Sequence, residues 1–112
     1  MVKIICRANE GRYTLQAEGH SGFAPLGSDI VCASISAIVQ TLYAGLGEYC
    51  KAEGECKARS GYLYMSVRVP LRYEREAAAV FLTGVQGLKL IAEEYPNCLV
   101  IDVGGKLKTN QI

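Results

Sequence analysis

The chain has 112 residues, of which half are hydrophobic, twelve are lysine or arginine, eleven are aspartate or glutamate and one is histidine. This size and composition are typical of a single globular domain, spanning 1–112, that can fold without a metal or a disulfide. The near balance of charges excludes the broadly basic surface expected of a protein that binds nucleic acid directly.

The first elements predicted along the chain are two strands. Apolar and polar residues alternate over 2–7 and again over 13–17, a pattern that is typical of half-buried β-strands. Between them, the Asn-Glu-Gly-Arg sequence at 9–12 has the residue types of a tight turn, because asparagine tolerates a left-handed conformation and glycine adopts it freely. The two strands are therefore predicted to form a hairpin that ends close to His20.

A loop and a long helix are predicted next. The segment 21–28 contains two glycines and a proline, which favour a loop. Ser28 is predicted to be the N-cap of the helix, which places Asp29 in the first turn, where the helix dipole stabilises a carboxylate. Apolar residues at helical spacing form so wide a stripe that we expect the helix to be buried on most sides. Polar residues interrupt the segment 30–46, so we interpret it as a core helix and expect no membrane span.

The second half of the chain predicts four further elements. They are strands over 56–59 and 62–69, a helix over 73–95 and a strand over 99–103. The resulting order, β-β-α-β-β-α-β, predicts an α+β two-layer sandwich in which two long helices cover one face of a mixed or antiparallel five-stranded sheet. Gly84 and Gly87 weaken the second helix, unless they allow a close approach to a neighbour.

The cysteine pattern argues against a disulfide framework and against a metal site. The number of cysteines is odd, and no two of them form a Cys-x-x-Cys pair. They are Cys6, Cys32, Cys50, Cys56 and Cys98. Secreted disulfide domains usually have an even number of cysteines, and zinc sites usually have closely spaced pairs of ligands. The first seven residues also have no apolar run long enough for a signal peptide. We therefore expect a cytoplasmic protein with free thiols and no bound metal.

Chemistry is most readily assigned to Cys32 and to His20, the one histidine in the chain. His20 follows a predicted strand and Cys32 lies in the first turn of the next helix, so the intervening loop could bring the two side chains together. A helix N-terminus and a nearby imidazolium both stabilise a thiolate. Imidazole can then deliver a proton to a leaving amine, and unpaired first-turn amides could form an oxyanion hole. The alternative is a structural or merely exposed histidine.

Two further side chains have more than one interpretation. Asp29 could simply stabilise the helix start, or it could orient His20 or contact a substrate. Ser36 lies one turn beyond Cys32 on the same helix face. Its hydroxyl could act within the site, or it could bond to a carbonyl of its own helix.

This region resembles the signature of the ribosomal-processing cysteine proteases called Prp (YsxB-like). The resemblance is carried by the pair Gly19-His20, by the eleven residues that separate His20 from Cys32, and by the run Gly-Ser-Asp-Ile-Val-Cys-Ala-Ser-Ile-Ser at 27–36. Outside this segment the resemblance is weaker, although the length and the element order agree over the whole chain.

The resemblance implies roles for particular residues. His20 and Cys32 correspond to the catalytic dyad of the family, and Asp29 and Ser36 correspond to supporting residues of its site.

The resemblance also implies a mobile loop over the active site, which is 21–28 in this chain. Within the loop, Gly22, Phe23 and Gly27 are candidates for supporting or substrate-binding residues. The alternative for Phe23 is that its ring anchors the loop to the core.

Family resemblance further implies an activity and partners. Prp proteins are homodimeric, cofactor-free endopeptidases that remove an N-terminal extension from a large-subunit ribosomal protein, cutting after an aromatic residue. Two other classes of function stay open on sequence alone. One is a noncatalytic ribosome-associated binding module, and the other is a thiol redox protein that uses Cys32, for which no resolving cysteine is close in sequence.

Overall fold

The computed structural model describes residues 1–25 and 29–106. Its elements are β1 (Val2–Asn9), β2 (Arg12–Glu18), α1 (Ile30–Cys50), β3 (Glu53–Arg59), β4 (Tyr62–Arg68), a short 3₁₀ turn (Leu71–Tyr73), α2 (Glu74–Glu94) and β5 (Leu99–Lys106). Within these described residues, five strands form one sheet in the order β3-β4-β2-β1-β5. The β1–β5 pair is parallel and the other three pairs are antiparallel. The predicted α+β fold and element order are confirmed.

Strand alternation assigns one face of the sheet to the core. The buried residues of the three central strands include Val2, Ile4, Cys6, Ala8, Tyr13, Leu15, Ala17, Leu63, Met65 and Val67. They alternate with more exposed neighbours, as expected when successive side chains point to opposite faces. Buried residues of both helices belong to the same hydrophobic core. Both helices therefore cover this face, and the opposite face of the sheet is left to solvent.

The N-cap of α1 is Asp29, whereas the sequence pattern assigned that position to Ser28. The backbone of Asp29 is extended, and its Oδ1 accepts hydrogen bonds from the amides of Val31 at 2.9 Å and Cys32 at 3.0 Å. Ser28 itself lies outside the described residues. Aspartate and serine are comparably good N-caps, so residue type alone could not choose between the two adjacent positions.

The prediction that α1 is buried on most sides is wrong for this chain. One stripe is buried, and it consists of Val31, Ile35, Val39, Leu42, Leu46 and Cys50. Elsewhere on the helix Tyr49 is 76% exposed and Ile30 is 54% exposed. By length and composition alone this 21-residue helix could cross a membrane. Its buried stripe instead packs into the core, which is how an apolar helix of a globular domain is used.

Two glycines of α2 bring the helices close together. A Cβ atom at Gly84 would overlap the δ-carbons of Leu42, and one at Gly87 would lie 3.1 Å from Cδ1 of Ile38. Leu42 and Ile38 are both on α1. The close approach that would justify glycine inside a helix is therefore present.

We expect Gly84→Ala to destabilise the protein, although alanine normally favours a helix over glycine by about 1 kcal/mol. Overpacking a filled site typically costs about 1–3 kcal/mol, so the net loss in the free energy of unfolding should reach about 2 kcal/mol. Urea denaturation measures it. In the control Gly47→Ala the new methyl group would find its nearest neighbour at 3.9 Å, and stability should rise slightly. A Gly84→Ala variant more stable than wild type would contradict the close helix contact.

Candidate active site

The imidazole of His20 lies against the turn between β3 and β4. β2 ends at Glu18, and the amide of Gly19 donates to the carbonyl of Gly61 at 2.9 Å. Gly61 has a φ of +71°, and a Cβ atom there would lie 2.8 Å from Nε2 of His20. Glycine is needed at this turn for its backbone conformation and because the ring occupies the space of a side chain.

Cys32 lies in the first turn of α1, and its sulfur faces the end of β2. The amide of Ser21 donates to Sγ of Cys32 at 3.4 Å. Cys32 is half-buried, and all five cysteines lie within the described ranges and are free thiols. A backbone N–H donor therefore lies beside the sulfur, just after the end of β2.

His20 and Cys32 line one cavity of about 210 Å³. Apolar side chains supply much of its wall, and they include Val2, Ala17, Ile35 and Leu63. Ser36 also lines it, as do residues of the β3–β4 turn. The end of a strand, the start of a helix and a hairpin turn thus enclose a thiol, an imidazole and an apolar surface.

Asp29 ties the loop to the start of α1. The hydroxyl of Ser21 donates to Oδ2 of Asp29 and accepts from the amide of Phe23 at 3.1 Å. The pKa of the Asp29 carboxyl is lowered, first by the Ser21 hydroxyl and then by backbone amides that include those of Cys32 and Val31. Both Asp29 and Ser21 are buried. Among the described residues, Asp29 is not part of the cavity wall, so its structural interpretation is the one that these contacts support.

The cap changes the prediction for the oxyanion hole. The amides of Val31 and Cys32 donate to the Asp29 carboxylate, and the amide of Ala33 donates to the Asp29 carbonyl at 3.1 Å. These donors are therefore already used within the helix start. The backbone donor that points at the sulfur of Cys32 is instead the amide of Ser21.

The three loop residues that the sequence proposed for the site, Gly22, Phe23 and Gly27, have different outcomes. The ring of Phe23 packs edge-on against Tyr95, with centroids 5.3 Å apart and planes at 82°, which supports the anchoring alternative, although the side chain remains 46% exposed. Gly22 has a φ of +75° with open space where a Cβ would lie, so its backbone conformation is what requires glycine. Gly27 lies outside the described residues.

Ser36 lies in the cavity wall, one turn along α1 from Cys32. Its Oγ accepts a hydrogen bond from Nε2 of Gln40 at 2.6 Å. The alternative proposed for Ser36 was a hydrogen bond to a carbonyl of its own helix. Ser34 makes that kind of bond instead, because its hydroxyl donates to the carbonyl of Ile30 at 2.7 Å. The hydroxyl proton of Ser36 is consequently available to a molecule in the cavity.

Sequence reasoning missed Ser21 and Gly61. Ser21 directly follows His20, and a serine beside a candidate base is the local signal that could have marked it. Gly61 was assigned only to a turn, because nothing local shows that this turn lies against the histidine. Within residues 1–25 and 29–106, no three histidine, cysteine, aspartate or glutamate side chains are grouped so that they could hold a metal ion.

Comparison with known proteins places this chain in a family. The family model described as cysteine protease Prp matches residues 1–100. The chain belongs to the Prp family of cysteine proteases. No match was found among curated protein sequences.

Solved structures share the fold of this Prp chain. The ribosomal processing protease Prp from S. aureus, with a covalently linked product peptide, aligns with a TM-score of 0.76 and 22% identity over 93% of this chain and all of that one. The same protease with a substrate peptide aligns at 0.71 and 21% identity, with the same coverage. A protein from Streptococcus mutans aligns at 0.71 and 20% identity over 95% of this chain and 96% of that chain.

Three of the four other cysteines are poorly suited to nucleophilic chemistry. Burial raises the pKa of Cys6 to about 12. Burial also raises the pKa of Cys50 and of Cys56. Since the thiolate is the nucleophile, these three thiols are held in their unreactive form near neutral pH.

We expect Asp29→Asn to lower the free energy of unfolding at pH 7, because an amide cannot accept all the donors that surround the carboxylate. Hydrogen bonds hold the carboxyl pKa below its ordinary value of 3.8. The stabilisation is therefore present above that value and is lost as the pH falls through the lower folded-state pKa. Urea denaturation between pH 7 and pH 2.5 should show the difference between variant and wild type shrinking in acid.

The matched control for this measurement is Asp102→Asn. Asp102 pairs with Arg7 at 2.9 Å through a side chain that is 70% exposed. An exposed pair contributes at most about 1 kcal/mol, so this variant should differ little from wild type. Equal effects of the two substitutions would contradict the special role of the Asp29 cap.

Proposed function

We propose that this Prp protein is an endopeptidase in which Cys32 is the nucleophile and His20 is the general base, and that it removes the N-terminal extension of a large-subunit ribosomal protein. The observation that carries the proposal is that both side chains line one cavity. No other histidine exists in the chain. The matching family is one of cysteine proteases, and two similar structures are ribosomal processing proteases with peptides bound.

The reaction follows from the groups in the cavity. The Cys32 thiol gives its proton to His20, and the thiolate attacks the peptide carbonyl. The imidazolium returns the proton to the nitrogen of the leaving amine as the C–N bond breaks, which leaves an acyl-enzyme. A water molecule then gives a proton to His20 while its oxygen attacks the thioester, and the acid product leaves as the thiol reforms. The Ser21 amide stabilises the sulfur anion at the first and last steps.

The cavity wall supports a substrate with an apolar side chain near the scissile bond. Val2, Ala17, Ile35 and Leu63 enclose the space beside the dyad, and burial of an aromatic or aliphatic side chain against them is favourable. An aromatic residue before the cleaved bond fits this lining. The proposed site of action is the cytoplasm, where ribosomal proteins are made and free thiols persist.

We also propose that the protein acts as a homodimer, formed by the outer faces of α1 and α2. These faces form a groove of about 550 Å³, lined by residues that include Ala37, Ile38, Thr41, Val80 and Thr83. Ala37 is exposed in the single chain. Small and apolar side chains allow the helices of a second copy to approach closely, and an interface explains why α1 is more apolar than its buried stripe requires.

Processing should depend on both dyad residues. Incubation of the extended ribosomal protein with wild type should release a short N-terminal peptide, which mass spectrometry identifies. Cys32→Ala should abolish release, and His20→Ala should lower the rate at least about 100-fold, since general base catalysis contributes about 10²–10⁴-fold. Ser34→Ala is the matched control on the same helix, and it should cleave at the wild-type rate.

Two results would count against the protease assignment. Processing by Cys32→Ala at the normal rate would remove Cys32 from the mechanism. Tight binding of the extended protein by wild type without any cleavage would instead favour the noncatalytic binding module.

The dimer is tested by Ala37→Arg, which places a charge in the groove between α1 and α2. An unpaired charge in an apolar interface is costly, so light scattering should report a dimer for wild type and a monomer for the variant. Gln40→Arg, on the same helix but outside the groove-lining set, is the control and should remain dimeric. A monomeric wild-type chain at micromolar concentration would refute the dimer.

A further inference from the structure

The hydroxyl of Ser36 forms a different kind of hydrogen bond from those of Ser34 and Thr83. Ser34 and Thr83 each donate to the carbonyl four residues earlier, at 2.7 Å in both cases, which is the usual bond of a hydroxyl inside a helix. Ser36 instead accepts, through Oγ, a hydrogen bond from Nε2 of Gln40 at 2.6 Å. Within residues 1–25 and 29–106, the proton of the Ser36 hydroxyl has no acceptor of its own.

The side of α1 that carries Cys32 and Ser36 faces the β3 edge of the sheet. These two residues are four apart, so they lie on one side of the helix, next to its buried stripe. Tyr43 is two turns beyond Ser36 on the same side, and its hydroxyl donates to the carbonyl of Gly54 on β3 at 3.2 Å. Ser36 also lines the cavity that contains Cys32 and His20. The Ser36 hydroxyl therefore lies on the cavity side of α1.

The side-chain amide of Gln40 determines where the proton of Ser36 can point. An amide nitrogen can only donate, and a hydroxyl has one proton to donate. Since Nε2 of Gln40 donates to Oγ of Ser36, the proton of Ser36 points away from Gln40. Gln40 is exposed and, among the described residues, lies outside the cavity wall. It can therefore influence the cavity only through Ser36.

The proposed reaction needs a hydrogen-bond donor for the oxygen of the carbonyl under attack. That oxygen becomes an anion when the thiolate adds to the carbon, and a donor placed beside it lowers the barrier. The amides of Val31 and Cys32, which begin α1, are already bonded to the Asp29 carboxylate. The hydroxyl of Ser36, one helical turn from Cys32, still has a proton to give.

We propose that Gln40 is a positioning residue that turns the Ser36 hydroxyl into the cavity, where the hydroxyl donates to the oxyanion formed when Cys32 attacks the peptide carbonyl. This inference rests on the proposed peptidase function and adds a residue that the cavity itself does not contain. Without Gln40, the Ser36 hydroxyl would turn to the carbonyl four residues earlier, as the hydroxyl of Ser34 does.

Steady-state cleavage of the extended ribosomal protein gives kcat and KM for variants of both residues. Ser36→Ala should lower kcat about 100-fold, the loss caused by removing one oxyanion donor, with KM unchanged. Gln40→Ala should lower kcat about fivefold, which corresponds to one net hydrogen bond. Gln40→Glu should lower kcat at least about tenfold, because a carboxylate can only accept and binds the Ser36 proton more strongly than a carbonyl does.

Two readouts distinguish positioning from a merely structural role. Gln40→Lys keeps a donor beside Oγ of Ser36 and has no acceptor, so it should recover the activity that Gln40→Ala loses. In the Ser36→Ala background, Gln40→Ala and Gln40→Glu should have no further effect on kcat, because the two residues act as a unit. Equal losses in all three Gln40 variants, or losses that add to that of Ser36→Ala, would overturn the role of Gln40.

Gln86→Glu is the matched control for the change in charge. Gln86 is exposed on α2 and, in the described part of the chain, lines neither the cavity nor the groove between the helices, so kcat should not change. Salt screens the through-space effect of a new charge but leaves a direct hydrogen bond in place. The loss in Gln40→Glu should therefore persist from about 50 mM to about 500 mM sodium chloride, and a loss that disappears at high salt would contradict the proposal.

A binding measurement separates this proposal from the peptidase proposal. A labelled peptide that ends in phenylalanine aldehyde adds to the Cys32 thiol: sulfur bonds to the aldehyde carbon, the C–O double bond becomes single, and the thiol proton reaches the oxygen by way of His20. The oxygen of this tetrahedral adduct takes the position of the oxyanion, and the matching peptide alcohol cannot form it. Fluorescence anisotropy should give wild type a lower Kd for the aldehyde than for the alcohol. Ser36→Ala and Gln40→Glu should each reduce this ratio at least about tenfold.

This affinity ratio does not require turnover. If wild type cleaves nothing but the ratio depends on Ser36 and Gln40, the donor pair is supported and the peptidase function alone is refuted. Equal binding of aldehyde and alcohol by wild type, or no binding of either, would overturn the donor pair. Cleavage by Ser36→Ala at the wild-type kcat would overturn it as well and leave the peptidase function intact.

Discussion

The Asp29 carboxylate is the contact on which the geometry of the site depends. It accepts hydrogen bonds from the hydroxyl of Ser21, just after β2, and from the amides of Val31 and Cys32 at the start of α1. Strand end and helix start are therefore attached to the same pair of oxygens. Since His20 precedes Ser21 and Cys32 belongs to the capped turn, the helix cap helps to hold the imidazole and the thiol at the same cavity. The lowered pKa of the Asp29 carboxyl keeps this anchor charged under ordinary conditions.

The parts of the fold that depend on local pattern could be predicted from the sequence. Alternation identified the strands, and helical spacing identified α1 and α2, because side-chain period follows directly from backbone geometry. The burial of α1 was overestimated for a physical reason. Apolar content shows that a surface avoids water, but it does not show whether the same chain covers it, and the exposed Ile30 and Tyr49 belong to the uncovered part.

The parts of the candidate site that lie close together in the sequence were also predictable, and the parts that depend on strand pairing were not. His20 and Cys32 lie on one strand-loop-helix segment, so their spacing and residue types were visible without any knowledge of the sheet. The contact between His20 and Gly61 was not, because it depends on the pairing of β2 with β4, two strands separated by α1 and β3. Two details could not be predicted: the choice of Asp29 as the cap, and the use of the Val31 and Cys32 amides by that cap instead of by an oxyanion.

The candidate site consists of two parts that come from different segments of the chain. The imidazole, the thiol, the helix cap and the amide aimed at the sulfur all come from the segment between His20 and Cys32. Another part of the cavity wall comes from the β3–β4 hairpin, through residues that include Ala58, Gly61 and Leu63. Because backbone pairing holds the hairpin in place, its outward side chains can change without moving the thiol. Relatives with about 20% identity can thus share the fold while the exposed side chains of this hairpin differ.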